Sequence, residues 1–242
     1  MHANYHAFTE QLTATLTADP RVLGLVALGS MAERGGRKPD PFSDHDFFVI
    51  TPDAEAMRAT TSWLPHSERI ALWFRETPHG CKAVYDDGHL VEYAVFTPDE
   101  LQLARANDYR VLLDRERIAD RMAAIAARVD APPDRNWLEG MFLSHVLVAS
   151  QRARRGELAS SRWMLSHAMR FLVQLLGGGP DNLDPLRRFD HHDLEQSMRL
   201  DPASAAKALL ELYERECGGD ERAINAVRNG MASGRAKARR AM

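Results

Sequence analysis

Two apolar runs joined by a polar loop constrain this chain more than any other feature. Val22-Leu23-Gly24-Leu25-Val26-Ala27-Leu28 is continuous enough to be a buried strand, and it stops at Gly29-Ser30. Thirteen residues separate that pair from Asp44-His45-Asp46, which opens a second run, Phe47-Phe48-Val49-Ile50, closed by Thr51-Pro52. Side chains alternate along a strand, so Asp44 and Asp46 share a face. Two carboxylates at one strand end, beside four apolar residues, repel each other and call for a cation. Hard oxygen ligands of this kind suit Mg²⁺. Gly29 allows another group close to the backbone. Ser30 begins a turn or helix whose free N–H groups and hydroxyl suit a phosphate.

A third acid lies further on. His89-Leu90-Val91-Glu92-Tyr93-Ala94-Val95-Phe96 is apolar on both faces except at Glu92. An unpaired buried carboxylate is costly, so Glu92 is expected to hold a cation or a proton; the alternative is an edge strand with Glu92 in water. Around these runs the pattern alternates. Phe8, Leu12 and Leu16 recur at helical spacing before Asp19-Pro20. Asp53 is placed to cap a helix running to about Leu64. Arg69 to Phe74 reads as a strand, and Lys82 to Tyr85, an Asp86-Asp87-Gly88 turn and His89 to Phe96 read as a hairpin. Thr97-Pro98-Asp99-Glu100 reads as the start of another helix.

Beyond Asp130-Ala131-Pro132-Pro133-Asp134 the strand signals vanish. Three helical patterns follow, Trp137 to Arg155, Ser160 to Leu176 and Pro202 to Glu216, separated by Gly177-Gly178-Gly179-Pro180 and Gly218-Gly219. The 242 residues therefore read as an α/β domain over 1–130 and a helical domain over 131–242. With 45% apolar and 27% charged residues, disordered, collagen-like and coiled-coil classes are set aside. The net charge is −3, without the basic excess of a nucleic-acid binder, which argues against nucleic acid and favours a small-molecule or protein partner. Two cysteines, Cys81 and Cys217, exclude a disulfide scaffold. Met1-His2-Ala3-Asn4-Tyr5-His6 offers no basic n-region and no apolar run follows. The expectation is a cytoplasmic protein with no membrane span.

Gly29-Ser30, Asp44-x-Asp46 and the later strand carboxylate Glu92 resemble the polymerase-β-like nucleotidyltransferase superfamily. The helical second half is similar to its small antibiotic-modifying members, the aminoglycoside and lincosamide nucleotidyltransferases. The resemblance implies an α+β fold: a mixed β-sheet domain with flanking helices, then an all-α helical bundle that binds substrate. It also implies Mg²⁺ on Asp44 and Asp46 and a nucleoside triphosphate with its phosphates by Gly29 and Ser30. Nucleotidyl transfer needs an in-line acceptor oxygen and a stabilised pyrophosphate, and two Mg²⁺ ions bridged by Asp44 and Asp46 would serve both. Glu92 would complete a metal shell or take the acceptor's proton. Arg34, with Arg37 and Lys38 beside it, lies in the loop that would meet the β- and γ-phosphates; the alternative is that these are plain solvated charges. The expected reaction moves AMP from ATP onto a hydroxyl of a small molecule, an aminoglycoside or lincosamide, in a monomer or homodimer. The alternatives are transfer to a protein or tRNA, and a non-catalytic nucleotide-binding or antitoxin-like module.

The helical half offers further candidates. Arg162, Ser166, Arg170 and Gln174 form a polar stripe on one helix, either a solvated face or a pocket wall. Glu139 is a possible second base, and Glu139, Asp181, Asp184 and Glu195 are the acids available to a cationic acceptor. His145 reads as a satisfied core histidine. His191-His192-Asp193 reads as a metal site or a helix start. The basic stretch from Arg235 to Met242 reads as a solvated tail.

Overall fold

The computed structural model describes residues 3–33, 38–40, 42–106, 108–128, 133–177 and 192–232. The chain divides into two compact units, Met1–Val129 and Asp130–Met242. The first is built on a six-stranded mixed sheet: β1 Gly24–Leu28, β2 His45–Ile50, β3 Ile70–Arg75, β4 Gly80–Tyr85, β5 Leu90–Phe96 and β6 Tyr109–Asp114, in the order β3-β4-β5-β2-β1-β6. Neighbouring strands run antiparallel except β2 and β5, which are parallel.

Alternation sorts the strand residues onto two cores. Leu25, Ala27, Phe47, Val49, Val91 and Val95 face one layer with Phe8, Leu12 and Leu16 of α1 (Ala3–Ala18) and Met57 of α2 (Ala54–Arg58). Val26, Leu28, Phe48, Ile50 and Phe96 face the other, with Ile118, Met122 and Ile125 of α3 (Ile118–Ala126). Asp114, at the end of β6, accepts from the Ile118 and Ala119 N–H groups at 2.8 and 3.1 Å and so starts α3.

Two helices differ from the sequence expectation. The segment after Asp53 stays helical only to Arg58. Thr60 Oγ1 accepts from the Ser62 N–H, and the Trp63 indole donates to the Met57 and Thr60 carbonyls, both at 3.0 Å. Local side-chain bonds of this kind replace the next helical turn. After Thr97 only one 3₁₀ turn forms, Glu100–Leu103, closed by reciprocal Thr97–Glu100 bonds. Carbonyls in and just before this turn are taken by arginines of the following segment: Arg121 donates to Pro98 O at 2.9 Å and Arg128 to Gln102 O. Arg58, 5% exposed, donates to Val95 O and pairs with Glu100, clasping α2 to the end of β5.

In the second unit all the described elements are helices: α4 Arg135–Arg154, α5 Leu158–Leu175, α6 His192–Arg199, α7 Pro202–Cys217 and α8 Glu221–Ala232. Phe142, Val146, Leu165, Leu172, Leu209 and Tyr213 form their common core. Asp134 and Asp201 cap α4 and α7 through side-chain bonds to backbone N–H groups. Among the described residues no helix is long and apolar enough to cross a membrane.

Candidate active site

The sheet lines up three charged residues in register. Lys82 of β4 lies opposite Glu92 of β5, and Glu92 lies opposite Asp46 of β2. The row needs no long-range coincidence. The Asp86-Asp87-Gly88 turn fixes the β4–β5 register, and the parallel β2–β5 pairing sets Asp46 beside Glu92. The Lys82 ammonium is 3.1 Å from Glu92 and 3.0 Å from Glu76. Those two side-chain bonds, Glu76 first, raise the Lys82 pKa.

Asp46 is partly buried and its pKa is pushed up to about 7. Burial is the largest cause, the charges of Glu92 and Asp44 add to it, and Lys82 opposes. Positive charge is therefore in short supply around this carboxylate. Gly29, which follows β1, has φ +50°, and a Cβ built there would lie 3.9 Å from Asp46 Oδ2. The left-handed backbone, which disfavours a side chain, turns the chain next to the carboxylate.

Ser30 follows in a single 3₁₀ turn, Gly29–Ala32. Its hydroxyl is within 3.4 Å of both the Asp44 carbonyl and the Tyr5 hydroxyl, and Tyr5 donates to the same carbonyl at 3.1 Å. Tyr5, raised to about 12 chiefly by burial, thus ties α1 to the approach of β2. His45, fully buried, makes a second tie. Its Nε2 reaches Tyr5 O at 3.2 Å and Thr9 Oγ1 at 3.0 Å, and its Nδ1 reaches His89 Nε2 at 2.7 Å. A carbonyl only accepts, so His45 Nε2 carries the proton and His89 Nε2–H donates to His45 Nδ1. Burial, with the neighbouring His89 charge, pushes the His45 pKa down to about 3, so this bridge is neutral.

The structure brings Asp44, Asp46, Glu92, Gly29 and Ser30 into one neighbourhood. Among the described residues, however, no three carboxylate, imidazole or thiolate side chains gather tightly enough to form a ready metal centre. Glu92, expected to need a cation, has Lys82. The donor set still fits Mg²⁺ in kind: the acids are oxygen ligands, and Lys82 does not offset the burial and the two acid charges acting on Asp46. Arg34 and Arg37 lie outside the described residues, and Lys38 is exposed. Sequence reasoning missed Lys82, which the hairpin register could have revealed. It also missed Arg110 of β6, which donates to Met31 O at 3.1 Å and reaches Glu33 at 3.4 Å, a cation against the turn after Gly29.

In the helical unit the other candidates have local partners. Glu139 pairs with Arg135 at 2.9 Å. Arg162 donates to the carbonyls of Met198 and Leu200, and Ser166 to Trp163 O. Arg170 is exposed and Gln174 half-buried. His145 is half-buried, its Nδ1 bonded to Met141 O at 2.7 Å. Glu195 lies exposed on α6, and Asp193 pairs with Arg215. Asp181, Asp184, His191, the side chain of His192 and the tail from Arg235 lie outside the described residues.

No family model matches the chain, and no curated protein does. Among solved structures it is similar to an aminoglycoside 6-adenyltransferase from Bacillus subtilis, with 10% identity and a TM-score of 0.32 over 92% of this chain and 90% of that one. It is also similar to a STING-associated CdnE c-di-GMP synthase from Capnocytophaga granulosa, with 14% identity and a TM-score of 0.31 over 95% of this chain and 78% of that one. Likenesses this distant carry no argument about substrate, and the functional reading rests on the residues of the sheet.

Proposed function

We propose that this chain is a Mg²⁺-dependent nucleotidyltransferase that moves a nucleoside monophosphate, AMP from ATP, onto a hydroxyl of a small molecule. In this reading 1–130 is the catalytic domain and 131–242 the substrate-binding domain. One observation carries it. Asp46, its pKa raised to about 7 between Glu92 and Asp44, sits against a glycine turn at φ +50°. A carboxylate so short of positive charge is a poor structural residue and a good cation ligand.

Asp44 and Asp46 would hold Mg²⁺, with Glu92 as the third acid. When bound, the ion would supply charge for the triphosphate and its pyrophosphate leaving group. The chain's own part is positional. Gly29 keeps the turn open enough for phosphate, and Tyr5 and Ser30 fix the backbone at Asp44 through its carbonyl. Lys82 holds the Glu92 side chain on its strand, in reach of an acceptor proton. Arg34 and Arg110 are the cations nearest in sequence or space to the turn that would receive the phosphates.

A second reading has one observation in its favour. The Lys82–Glu92 pair at 3.1 Å supplies internally the cation that a catalytic acid would otherwise seek, as in a nucleotide-binding module without turnover. One experiment separates the two. The protein is incubated with Mg²⁺ and each nucleoside triphosphate against a panel of aminoglycosides and lincosamides, and products are read by mass. Transfer that is lost in Asp44→Asn and Asp46→Asn supports the enzyme. Nucleotide binding without pyrophosphate release from the triphosphate in the presence of any acceptor leaves the binding module.

A further inference from the structure

A cavity of about 360 Å³ opens in the first unit where α1, the approach to β2 and the β4–β5 turn meet. This is the size range of pockets that take small molecules. Its walls include the rings of Tyr5, Phe8, Tyr85 and His89. The polar tips of three of these are already committed. Tyr5 donates to Asp44 O, Tyr85 donates to Pro65 O at 2.7 Å, and His89 donates to His45. Tyr5, Phe8 and Tyr85 are only 6%, 6% and 3% exposed, so they offer the cavity a narrow strip of ring rather than donors. Phe42 stands at the rim, 94% exposed.

The fixed charges around this apolar wall do not cancel. Asp44, Asp87 and Arg69 line the cavity. Arg69 is consumed by Asp86 at 2.6 Å and Asp87 at 3.2 Å. Asp44 is one of the acids whose charge reaches the cavity wall. Burial lowers the His89 pKa, and the charges of Asp87 and Asp44 oppose it. No ion pair or hydrogen bond engages the Asp44 carboxylate among the described residues, so a negative charge is left at the mouth of a pocket walled with rings.

We propose that this cavity binds a small organic cation with a flat, apolar body, a ring-bearing amine whose charge sits beside Asp44 and whose ring packs against Tyr5, Phe8, Tyr85 and His89. Burial of the body drives association, and the carboxylate fixes orientation. A neutral heteroaromatic group such as a nucleobase would leave Asp44 without a partner and find the ring tips already occupied. The inference is drawn for the metal-free chain, because an ion on Asp44 would take the charge the amine needs, and its test reads binding alone.

The test uses the full chain without metal and isothermal titration with tryptamine and benzylamine. The neutral and anionic isosteres indole-3-ethanol and indole-3-acetate, and adenosine, serve as controls. An amine of this size should saturate one site with Kd on the order of 1 mM or better. The neutral isostere should bind about tenfold more weakly, since a charge-assisted contact is lost, and the anion more weakly still. Asp44→Asn should erase the preference for the amine. Gln11→Trp, at an exposed position of α1 lining the cavity, should fill it and weaken tryptamine about tenfold. Ser43→Trp is the second filling variant if that one fails to fold. Equal affinity for amine, alcohol and acid would overturn the proposal. So would tighter binding of adenosine, amine binding unaffected by a folded filling variant, or no saturable amine binding.

Discussion

Asp46→Asn should stabilise the metal-free protein, and the gain should depend on pH in a defined way. The pKa rise from the ordinary 3.8 to about 7 means that ionising Asp46 in the fold costs about 4 kcal/mol more than in the unfolded chain, at about 1.4 kcal/mol per tenfold change in proton affinity. An asparagine of nearly the same shape removes the repulsion from Glu92 and Asp44. It leaves a buried amide to satisfy, at a cost of about 1–3 kcal/mol. The net gain is about 2 kcal/mol, or about 5–10 °C in Tm for a unit of this size. The sign follows from linkage. Below pH 3.8 Asp46 is protonated in both states, so only the amide cost remains and the variant is less stable there by about 1–3 kcal/mol. Between pH 3.8 and about 7 the unfolded wild type releases the proton that the folded one keeps, so wild-type stability falls. The difference should therefore change sign across that window, from favouring wild type to favouring the variant, and stay constant above it. Scanning calorimetry of both proteins from pH 4 to pH 9 measures it. A variant less stable than wild type at pH 8, or a gap independent of pH, would refute the burial and repulsion assigned to Asp46.

Lys82→Met removes the one group among the described residues that opposes the upward push on Asp46, so that carboxylate should titrate higher still; carbon-detected NMR of the carboxyl reads the direction. Because the Lys82 pairs are partly exposed, the loss of stability should stay near about 0.5–1 kcal/mol in urea melts. Gly29→Ala puts a side chain at φ +50° and should cost about 1–2 kcal/mol, measurable as a lower denaturant midpoint, even though its Cβ has room beside Asp46. Arg58→Met, which takes the donor from Val95 O and the partner from the part-exposed Glu100, should cost about 1–3 kcal/mol. Glu100, held down to about 2 chiefly by its bond from Arg58, contributes stability above its ordinary 4.5 that is lost as pH falls toward 2. Glu100→Gln should flatten that part of the acid melting curve.

Much of the sheet was legible because its central strands are strongly apolar. Runs such as Val22–Leu28 and Phe47–Ile50 have few alternatives to a buried strand, and the Asp86-Asp87-Gly88 turn announces the β4–β5 hairpin. Asp44, Asp46 and Glu92 stood out as charges at positions that otherwise read as interior. What escaped notice lacks that contrast. β6 is an edge strand carrying Arg110 in its body and Asp114 at its end, and α3 follows amid charged neighbours, so neither has a clean period. α8 buries only Ile224 and Val227 among its described side chains. The short α2 was overread because its termination depends on Thr60, Ser62 and Trp63 bonding to nearby backbone, which competes with a propensity that otherwise favours helix. The partners of Glu92 and Asp44 were hidden for a different reason. Lys82 requires the hairpin register to be counted residue by residue, and Tyr5 requires the docking of α1, which no local pattern encodes.

The single parallel pairing in the sheet also bears on how the chain assembles. β3, β4 and β5 follow one another along the chain and zip up as a local meander, while β1 and β2 pair across one loop. β2 and β5 are joined by the whole stretch from Thr51 to His89, so their contact closes the longest loop inside that part of the sheet. Loop closure is an entropic cost met before the contact returns any stability, which places this seam late in folding. Asp46 and Glu92 face each other across that seam. The two acids therefore meet only after the flanking strands have formed, when their repulsion is opposed by two finished subsheets rather than by loose chain.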